Sequence, residues 1–404
     1  MRVLMLNAFH WLKGGVERTV FDETRWLEAA GHSVAHFATT DARNQASPFA
    51  RHFAPARDFD EGTPAWRQLP QLSRALWSAP AARALAGLLA EWRPDVAHVH
   101  APSRYLTPSV IAELDRAGIP SVMTLHDFKP WCTNRVLFAR GEVCERCRGG
   151  HHWHAVTTGC VQHSRLKSAV GAVEAYAHDR RGAYRPIRRW IAPSAFVRDK
   201  ATELGADAAR IRVLAHGVER IAAAAGPSRE LPERFALYAG RLSEEKGVRL
   251  LPAVARAIAP VPLLVAGGGT LESWLRGQAG GTLELLGHLA DDALAVVREH
   301  ASVVLVPSLF PETFGYAVAE AQLDARVVVA SRIGALSELI AHEVSGLLVP
   351  PGEVAALVAA TQRALADPTA ARWGEAAQAR AREAFAPATH AQGLVRIYEE
   401  AVRA

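Results

Sequence analysis

Two glutamates separated by seven residues carry the most specific chemistry in this 404-residue chain. They lie in Pro307-Ser308-Leu309-Phe310-Pro311-Glu312-Thr313-Phe314-Gly315-Tyr316, which runs on to Ala319-Glu320-Ala321. A helix beginning near Phe314 puts Glu320 on its second turn and Glu312 just before its start, so both carboxylates point into one cleft. Carboxylates accept hydrogen bonds from vicinal diols, which makes a ribose and a hexose natural partners. Gly315 lets the amides of the helix start approach a ligand. An unpaired carboxylate in a cleft is costly without such partners.

Two further segments suit phosphate. Tyr238-Ala239-Gly240-Arg241-Leu242-Ser243-Glu244-Glu245-Lys246-Gly247 leaves a strand and enters a helix. Arg241 can chelate phosphate oxygens through two N–H groups and Lys246 can add a point charge, a combination that fits a diphosphate. Lys13-Gly14-Gly15-Val16-Glu17 follows the first strand and opens a helix, whose free N–H groups form an anion site. Alone, the Gly14-Gly15 pair reads equally well as a plain strand-to-helix turn.

All four cysteines fall in one stretch, as Cys132, Cys144, Cys147 and Cys160. A Cys-x2-Cys pair between two outer cysteines reads as a tetrahedral thiolate site, most simply for a structural Zn²⁺. Reduced thiols or a disulfide pair are the next readings, and an iron–sulfur cluster the last. His151, His152, His154 and His163 are spare ligands.

The elements that position these residues alternate between strand and helix, the pattern of an α/β fold with mainly parallel sheets. In the first half the strands read as Arg2–Asn7, His32–Thr39, Asp95–His100, Ser121–Asp127, Trp190–Pro193 and Ile211–His216, with a helix over Val16–Ala30. Residues 218–233, rich in Ala and Pro, read as a linker. The second half repeats the alternation with strands Phe235–Gly240, Pro262–Ala266, Leu283–Leu286, Val303–Pro307, Val327–Ala330 and Gly346–Val349. Thr389–Val402 is amphipathic, with Leu394, Ile397, Tyr398 and Val402 at helical spacing, and needs an apolar partner surface. The domains are therefore expected at 1–217, with a cysteine-bearing insert at 130–162, and at 218–385, followed by a crossover helix at 386–404. Two such domains across a cleft place a ligand at the carboxyl ends of both sheets.

These motifs, in this order, resemble those of the retaining, family 4 glycosyltransferases of the GT-B fold, whose hallmark is Glu-x7-Glu. The resemblance spans nearly the whole chain. It takes in Gly14-Gly15, Asp95-Val96-Ala97-His98-Val99-His100, Thr124-Leu125-His126-Asp127, Ala192-Pro193-Ser194, His216-Gly217-Val218-Glu219, Gly240-Arg241-Leu242 with Lys246-Gly247, Glu312 to Glu320, and Ser345-Gly346-Leu347-Leu348-Val349 with Pro351-Gly352. It implies two Rossmann-like doubly wound parallel-sheet domains with a C-terminal helix crossing back. It also implies transfer of a sugar from a UDP- or GDP-type donor to a glycan or lipid-linked acceptor, with retention.

The resemblance implies roles as well. Glu312 would hold sugar hydroxyls with help from the amides at Thr313, Phe314 and Gly315, beside Tyr316, and Glu320 would bind the ribose diol. Arg241 and Lys246, next to Gly240, would hold the diphosphate and stabilise the leaving group. Gly14 and Gly15 would contact phosphate or acceptor. Main chain at Leu286, Gly287, His288 and Leu289 would read the base. His126, which on its own reads as a satisfied core histidine, would touch the donor sugar and the reacting centre. Catalysis would need no metal or other cofactor. The chain departs from the family pattern at Ala321-Gln322-Leu323-Asp324-Ala325-Arg326 and at Ala335, beside the donor site, which bears on donor identity.

Composition bounds the alternatives. Half the residues are hydrophobic and 22% are charged, which excludes a disordered chain and a disulfide-stapled miniprotein. No apolar run approaches the roughly 20 residues of a membrane-spanning helix, and the start lacks a secretory signal, so a cytoplasmic protein is expected. Residues 1–200 hold 27 Lys and Arg against 18 Asp and Glu, and the remainder 19 against 23, so the first half faces something anionic. Arg180, Arg181, Arg185, Arg188 and Arg189, with the Trp66, Trp77 and Trp92 stretch, would suit the inner face of a membrane or equally a solvated surface. A sugar-nucleotide epimerase or a phosphorylase is the rival enzyme reading. Only five lysines exist (Lys13, Lys129, Lys167, Lys200 and Lys246), none in an evident pyridoxal context. A zinc-bearing nucleic-acid binder would use the basic half but leaves Glu312 and Glu320 unexplained, so no nucleic-acid partner is expected.

Overall fold

Runs such as Val303–Val306 (VVLV) and Val327–Ser331 (VVVAS) can bury both faces only in a parallel sheet covered by helices on each side, and that is what they build. The computed structural model describes residues 1–56, 76–221 and 230–404, so residues 222–229 of the expected linker and Trp66 lie outside the described residues. The chain forms two units. One comprises Met1–Val136, Glu145–Gly217 and Pro387–Ala404, and the other Leu137–Cys144 and Val218–Ala386. The cysteine-bearing segment is thus divided between them.

In chain order the strands are β1 (Arg2–Leu6), β2 (Ser33–Phe37), β3 (Val96–Val99), β4 (Ser121–Thr124), β5 (Phe138–Ala139), β6 (Glu142–Val143), β7 (Arg189–Ala192) and β8 (Ile211–Val213), followed by β9 (Ala236–Ala239), β10 (Leu263–Ala266), β11 (Leu283–Gly287), β12 (Val303–Val306), β13 (Val327–Ser331) and β14 (Leu347–Val349). The first unit has the parallel order β2-β1-β3-β4-β7-β8, and the second the parallel order β11-β10-β9-β12-β13-β14. Both are Rossmann-like doubly wound α/β sheets. The direction of strand succession reverses between β1 and β3 in the first and between β9 and β12 in the second. Loops at the carboxyl ends of strands flanking such a reversal line a ligand crevice.

The C-terminal helix Pro387–Arg403 returns to the first unit. Its Leu394, Ile397, Tyr398 and Ala401 form one stripe, packed with Val3, Met5, Val20, Leu27, Val96, Val122 and Ile191. Burying each larger side chain of that stripe contributes about 1.5–3 kcal/mol. Gly393 lets the helix approach closely there, since a Cβ would stand 2.5 Å from a methyl of Leu214, which would have to move. The helix Gly15–Ala29 lies against the same layer through Val20 and Leu27.

Three local features differ from the sequence expectation. The helix after Glu312 is Tyr316–Leu323, two residues later than anticipated, because Gly315 takes φ +106° as its N-cap. β11 continues to Gly287. β5 and β6 form a hairpin too short to show a periodicity, closed by Arg140 and Gly141 with φ of +57° and +83°.

Candidate active site

The second unit's reversal gathers the phosphate and carboxylate motifs. Gly240 and Arg241 leave β9, and Pro307–Glu312 leave β12. Lys246 Nζ lies 2.6 Å from Glu312 Oε1, and Ser308 Oγ donates to the same oxygen at 2.6 Å. Leu309 N–H donates to Glu245 O at 2.7 Å, which sews the two loops together. Gly247 makes that approach possible: its φ is +71°, and a Cβ would stand 1.9 Å from Pro307 O. On its other side the Glu312 backbone is pinned by Ala335, whose N–H donates to Glu312 O at 2.9 Å. Glu312 is only 7% exposed, so Lys246 and Ser308 are what keep its carboxylate tolerable inside the protein.

Arg241 has its carbonyl held by Tyr238 Oη at 2.8 Å, while its side chain is 61% exposed and 3.1 Å from Glu245 Oε1. A fixed backbone with an outward guanidinium suits an anionic ligand. Gly240 is exposed beside it.

Glu320 has protein partners that the sequence did not show. Its Oε2 lies 3.1 Å from Arg298 Nη1, and Arg298 Nε lies 2.6 Å from Asp324 Oδ2. Asp324 also meets Arg220 Nε at 2.9 Å. The pairing offsets the burial of Glu320 and fixes the carboxylate's direction. Asp324, one of the departures from the family pattern, is thus half of a buried ion pair. Arg298 and Ser308 escaped the sequence reading. Ser308 carried a signal in its place four residues before Glu312. Arg298 carried none, since it comes from the helix Asp291–His300.

The remaining residues expected near the donor take varied places. Phe314 is buried against Tyr316 and Phe385, with ring centroids at 5.1 and 5.5 Å, and is a packing residue. Thr313 and Tyr316 are half-buried. The Gly287 carbonyl, one of the main-chain groups expected to meet a base, already accepts the Gly267 N–H at 2.8 Å. His288 is exposed, and Leu286 and Leu289 pack on the apolar layer that includes Val304 and Val306.

In the first unit, Gly14 caps the helix Gly15–Ala29 with extended backbone, φ −178°. Asn7, just past β1, donates to Glu17 Oε1 at 3.0 Å and so ties strand end to helix start. Burial pushes the Glu17 carboxyl up. His126, past β4, has Nε2 3.0 Å from His100 Nδ1, and its ring stacks on His216 at 5.3 Å and 10°. Burial, reinforced by His100, holds the His126 pKa well below the ordinary value, so the ring is neutral at pH 7. A neutral ring has one N–H donor and one lone-pair acceptor, and the Nε2 side is taken up by His100.

None of the cysteines is in a disulfide. Cys132, Cys147 and Cys160 belong to the first unit and Cys144 to the second. Cys132 Sγ donates to Asn134 Oδ1 at 2.9 Å, and Cys147 Sγ is 3.9 Å from Thr133 Oγ1. Burial raises the Cys147 thiol, but His152 and Thr133 together bring it below its ordinary value. Burial lowers His152, yet Asp179 at 2.7 Å and Cys147 carry it to about 9. Among the described residues, the group whose metal-ligand atoms lie within 4.8 Å of one another is Glu23, His98 and His100, and does not include the cysteines.

Of the basic stretch, Arg188 donates to Ala401 O at 2.9 Å and Arg189 pairs with Glu400 at 3.2 Å, while Arg180, Arg181 and Arg185 are exposed. Arg181 lies 5.4 Å over Trp77 and Arg2 lies 4.4 Å over Trp92. Among the described residues, no helix is long and apolar enough to cross a membrane.

Comparison with known proteins agrees with this architecture. Residues 13–220 match the family described as "Glycosyltransferase Family 4", and residues 233–367 match "Glycosyl transferases group 1". A glycogen synthase from Mycobacterium tuberculosis is 29% identical, with all of this chain and 95% of that protein covered. A phosphatidyl-myo-inositol mannosyltransferase from Mycobacterium leprae is 33% identical over 40% of this chain and 46% of its own length. The solved sucrose-phosphate synthase from Thermosynechococcus elongatus superposes with a TM-score of 0.71 at 22% identity, covering 99% of this chain and 98% of its own. Anabaena Alr3699/HepE, solved in complex with UDP-glucose, gives 0.67 at 18% identity, covering 99% of this chain and all of its own.

Proposed function

As this chain belongs to Glycosyltransferase Family 4, we propose that it moves a sugar from a UDP- or GDP-type donor to a glycan or lipid-linked acceptor with retention of anomeric configuration. The observation that supports this reading is the joining of Lys246, Ser308 and Glu312 at the reversal between β9 and β12, with the Arg241 guanidinium exposed on the β9 loop. Arg241 and Lys246 meet the diphosphate and take up negative charge on the leaving phosphate. Glu312 orients sugar hydroxyls, and Glu320, aimed by Arg298, takes the ribose diol. His126 orients the donor sugar. The anomeric C–O bond to the diphosphate breaks on the face where the acceptor oxygen bonds, and the acceptor proton passes to the departing phosphate. No residue role in this scheme requires a metal at the reacting centre.

Calorimetry with UDP, GDP, ADP and dTDP tests the site. One nucleotide should bind, with the binding lost in Glu320→Ala and Arg241→Ala. The anomeric configuration of the product by NMR tests retention, and inversion would reject it.

The four cysteines are further proposed to hold a structural Zn²⁺. Their Cys-x2-Cys spacing and the low Cys147 thiol support this. Metal analysis of anaerobically purified protein distinguishes zinc from iron or free thiols. Exposed Arg180, Arg181 and Arg185 support peripheral contact with an anionic inner-membrane surface, which sedimentation with phosphatidylglycerol vesicles would test.

A further inference from the structure

The first unit buries a constellation that the transfer reaction does not use. Glu23 lies on the helix Gly15–Ala29, His98 on β3, His100 just beyond it and His390 on the C-terminal helix. All four are fully or almost fully buried. His98 and His100 share a face of the chain because strand side chains alternate. Glu23 Oε2 stands 3.4 Å from His98 Nδ1 and 3.5 Å from His100 Nε2, and Glu23 Oε1 stands 3.0 Å from His390 Nε2. Glu23 Oε2 and His100 Nε2 face each other without a hydrogen-bond partner. A buried acceptor and a buried ring nitrogen left that way are costly, and a cation between them satisfies both.

The distances fit such an ion. A tetrahedral zinc with bonds of about 2.0–2.1 Å separates its ligands by about 3.3 Å. The far nitrogen of each ring is already held. His98 Nε2 meets Thr124 Oγ1 at 2.7 Å, His100 Nδ1 meets His126 Nε2 at 3.0 Å, and His390 Nδ1 donates to Ala215 O at 2.7 Å. That outer support fixes the tautomer and direction of metal-bound histidines. Burial keeps His98 and His100 well below the ordinary histidine range, which leaves lone pairs available.

We propose that Glu23, His98 and His100 form a buried divalent-cation site of zinc type, separate from the cysteines, with His390 holding the second carboxylate oxygen of Glu23. The Tyr398 hydroxyl, 2.8 Å from His98 Nδ1, is the partner that the cation displaces from that nitrogen. With His100 Nε2 on the cation, its proton resides on Nδ1 and is donated to His126 Nε2. The cation therefore places the His126 proton on Nδ1, so the site is a positioning device for a ring at the end of β4.

The test uses the full chain with Cys132, Cys144, Cys147 and Cys160 all changed to Ser, titrated with Co²⁺ in chelator-free buffer. One equivalent should bind, with the d–d absorption of a nitrogen–oxygen site and no thiolate charge-transfer band. Adding Glu23→Gln or His100→Gln should weaken that binding at least tenfold while far-UV circular dichroism is unchanged. Should the serine protein fail to fold, the wild-type chain is titrated instead, and an equivalent lacking the charge-transfer band is the expected result. No such equivalent, or undiminished binding in natively folded Glu23→Gln, overturns the proposal.

Discussion

Lys246 Nζ lies 2.6 Å from Glu312 Oε1, and the two residues reach each other from loops 66 positions apart in sequence. The contact exists because Gly247 lets its loop touch the Pro307 carbonyl. Lys246→Ala removes the charge that compensates a nearly buried carboxylate and, on the proposed function, the cation assigned to the leaving phosphate. Its kcat/KM should fall about 10²–10³-fold, the scale of losing one preorganised electrostatic contact. Ser308→Ala keeps the ion pair and should cost about tenfold or less. Initial rates with saturating acceptor measure both.

Gly14 separates structural from functional demand. Its backbone is extended, a conformation open to any residue, and a Cβ there would meet only Glu17 Oε2 at 3.9 Å. Gly14→Ala should therefore leave stability within about 0.5 kcal/mol, as for other exposed sites. If ligand approaches that helix start, the same change should lower kcat/KM at least tenfold. Thermal denaturation beside initial rates gives both readouts, and equal activity would remove Gly14 from the site.

The two parallel sheets were legible because most of their central strands are nearly continuous apolar runs ending at a glycine, proline or polar residue. Val303–Val306 and Val327–Ser331 leave no other reading. The C-terminal helix was legible from Leu394, Ile397 and Tyr398, whose spacing demanded an apolar surface, here supplied by Val3, Met5 and Val96. Arg298 was not legible, since nothing local marks a helix arginine that will meet two carboxylates on a later helix. Nor was the environment of Glu320, which a pattern of spacing alone leaves unpaired. Glu23 and His390, 367 positions apart, look like ordinary helix residues until the fold brings them to 3.0 Å. Side chains defined by long-range partners carry no signature in a single sequence.

Arg298 supports two acids at once, half-buried Glu320 at 3.1 Å and buried Asp324 at 2.6 Å. Arg298→Ala takes this cation from Glu320 and leaves Asp324 with Arg220 alone, so it should destabilise the protein by about 3 kcal/mol, the low end of the usual effect of breaking a buried pair from one side. Asp324→Asn keeps the shape and still leaves Arg298 one carboxylate, so its loss should be smaller. Urea denaturation of the three proteins at pH 7 would order them. Nucleotide affinity should fall in Arg298→Ala even under conditions where it is fully folded, because Glu320 loses the group that aims it.

Acid sensitivity should concentrate at Glu174, buried in the helix Arg165–Arg181. Burial alone would raise its carboxyl. Lys129 and Arg104, each 3.1 Å away, together with His178, instead bring it to about 2. A folded-state pKa below the ordinary 4.5 means the unfolded chain takes up the proton first as pH falls. The stabilisation is therefore complete above about pH 4.5 and is lost as pH drops through about 2. Glu174→Gln should be less stable than wild type at pH 7, since Lys129 is left buried without its carboxylate. The difference between the two proteins should shrink steadily from pH 4.5 towards 2, measured as urea midpoints. A constant offset across that range would show that Glu174 does not ionise differently in the folded and unfolded chains.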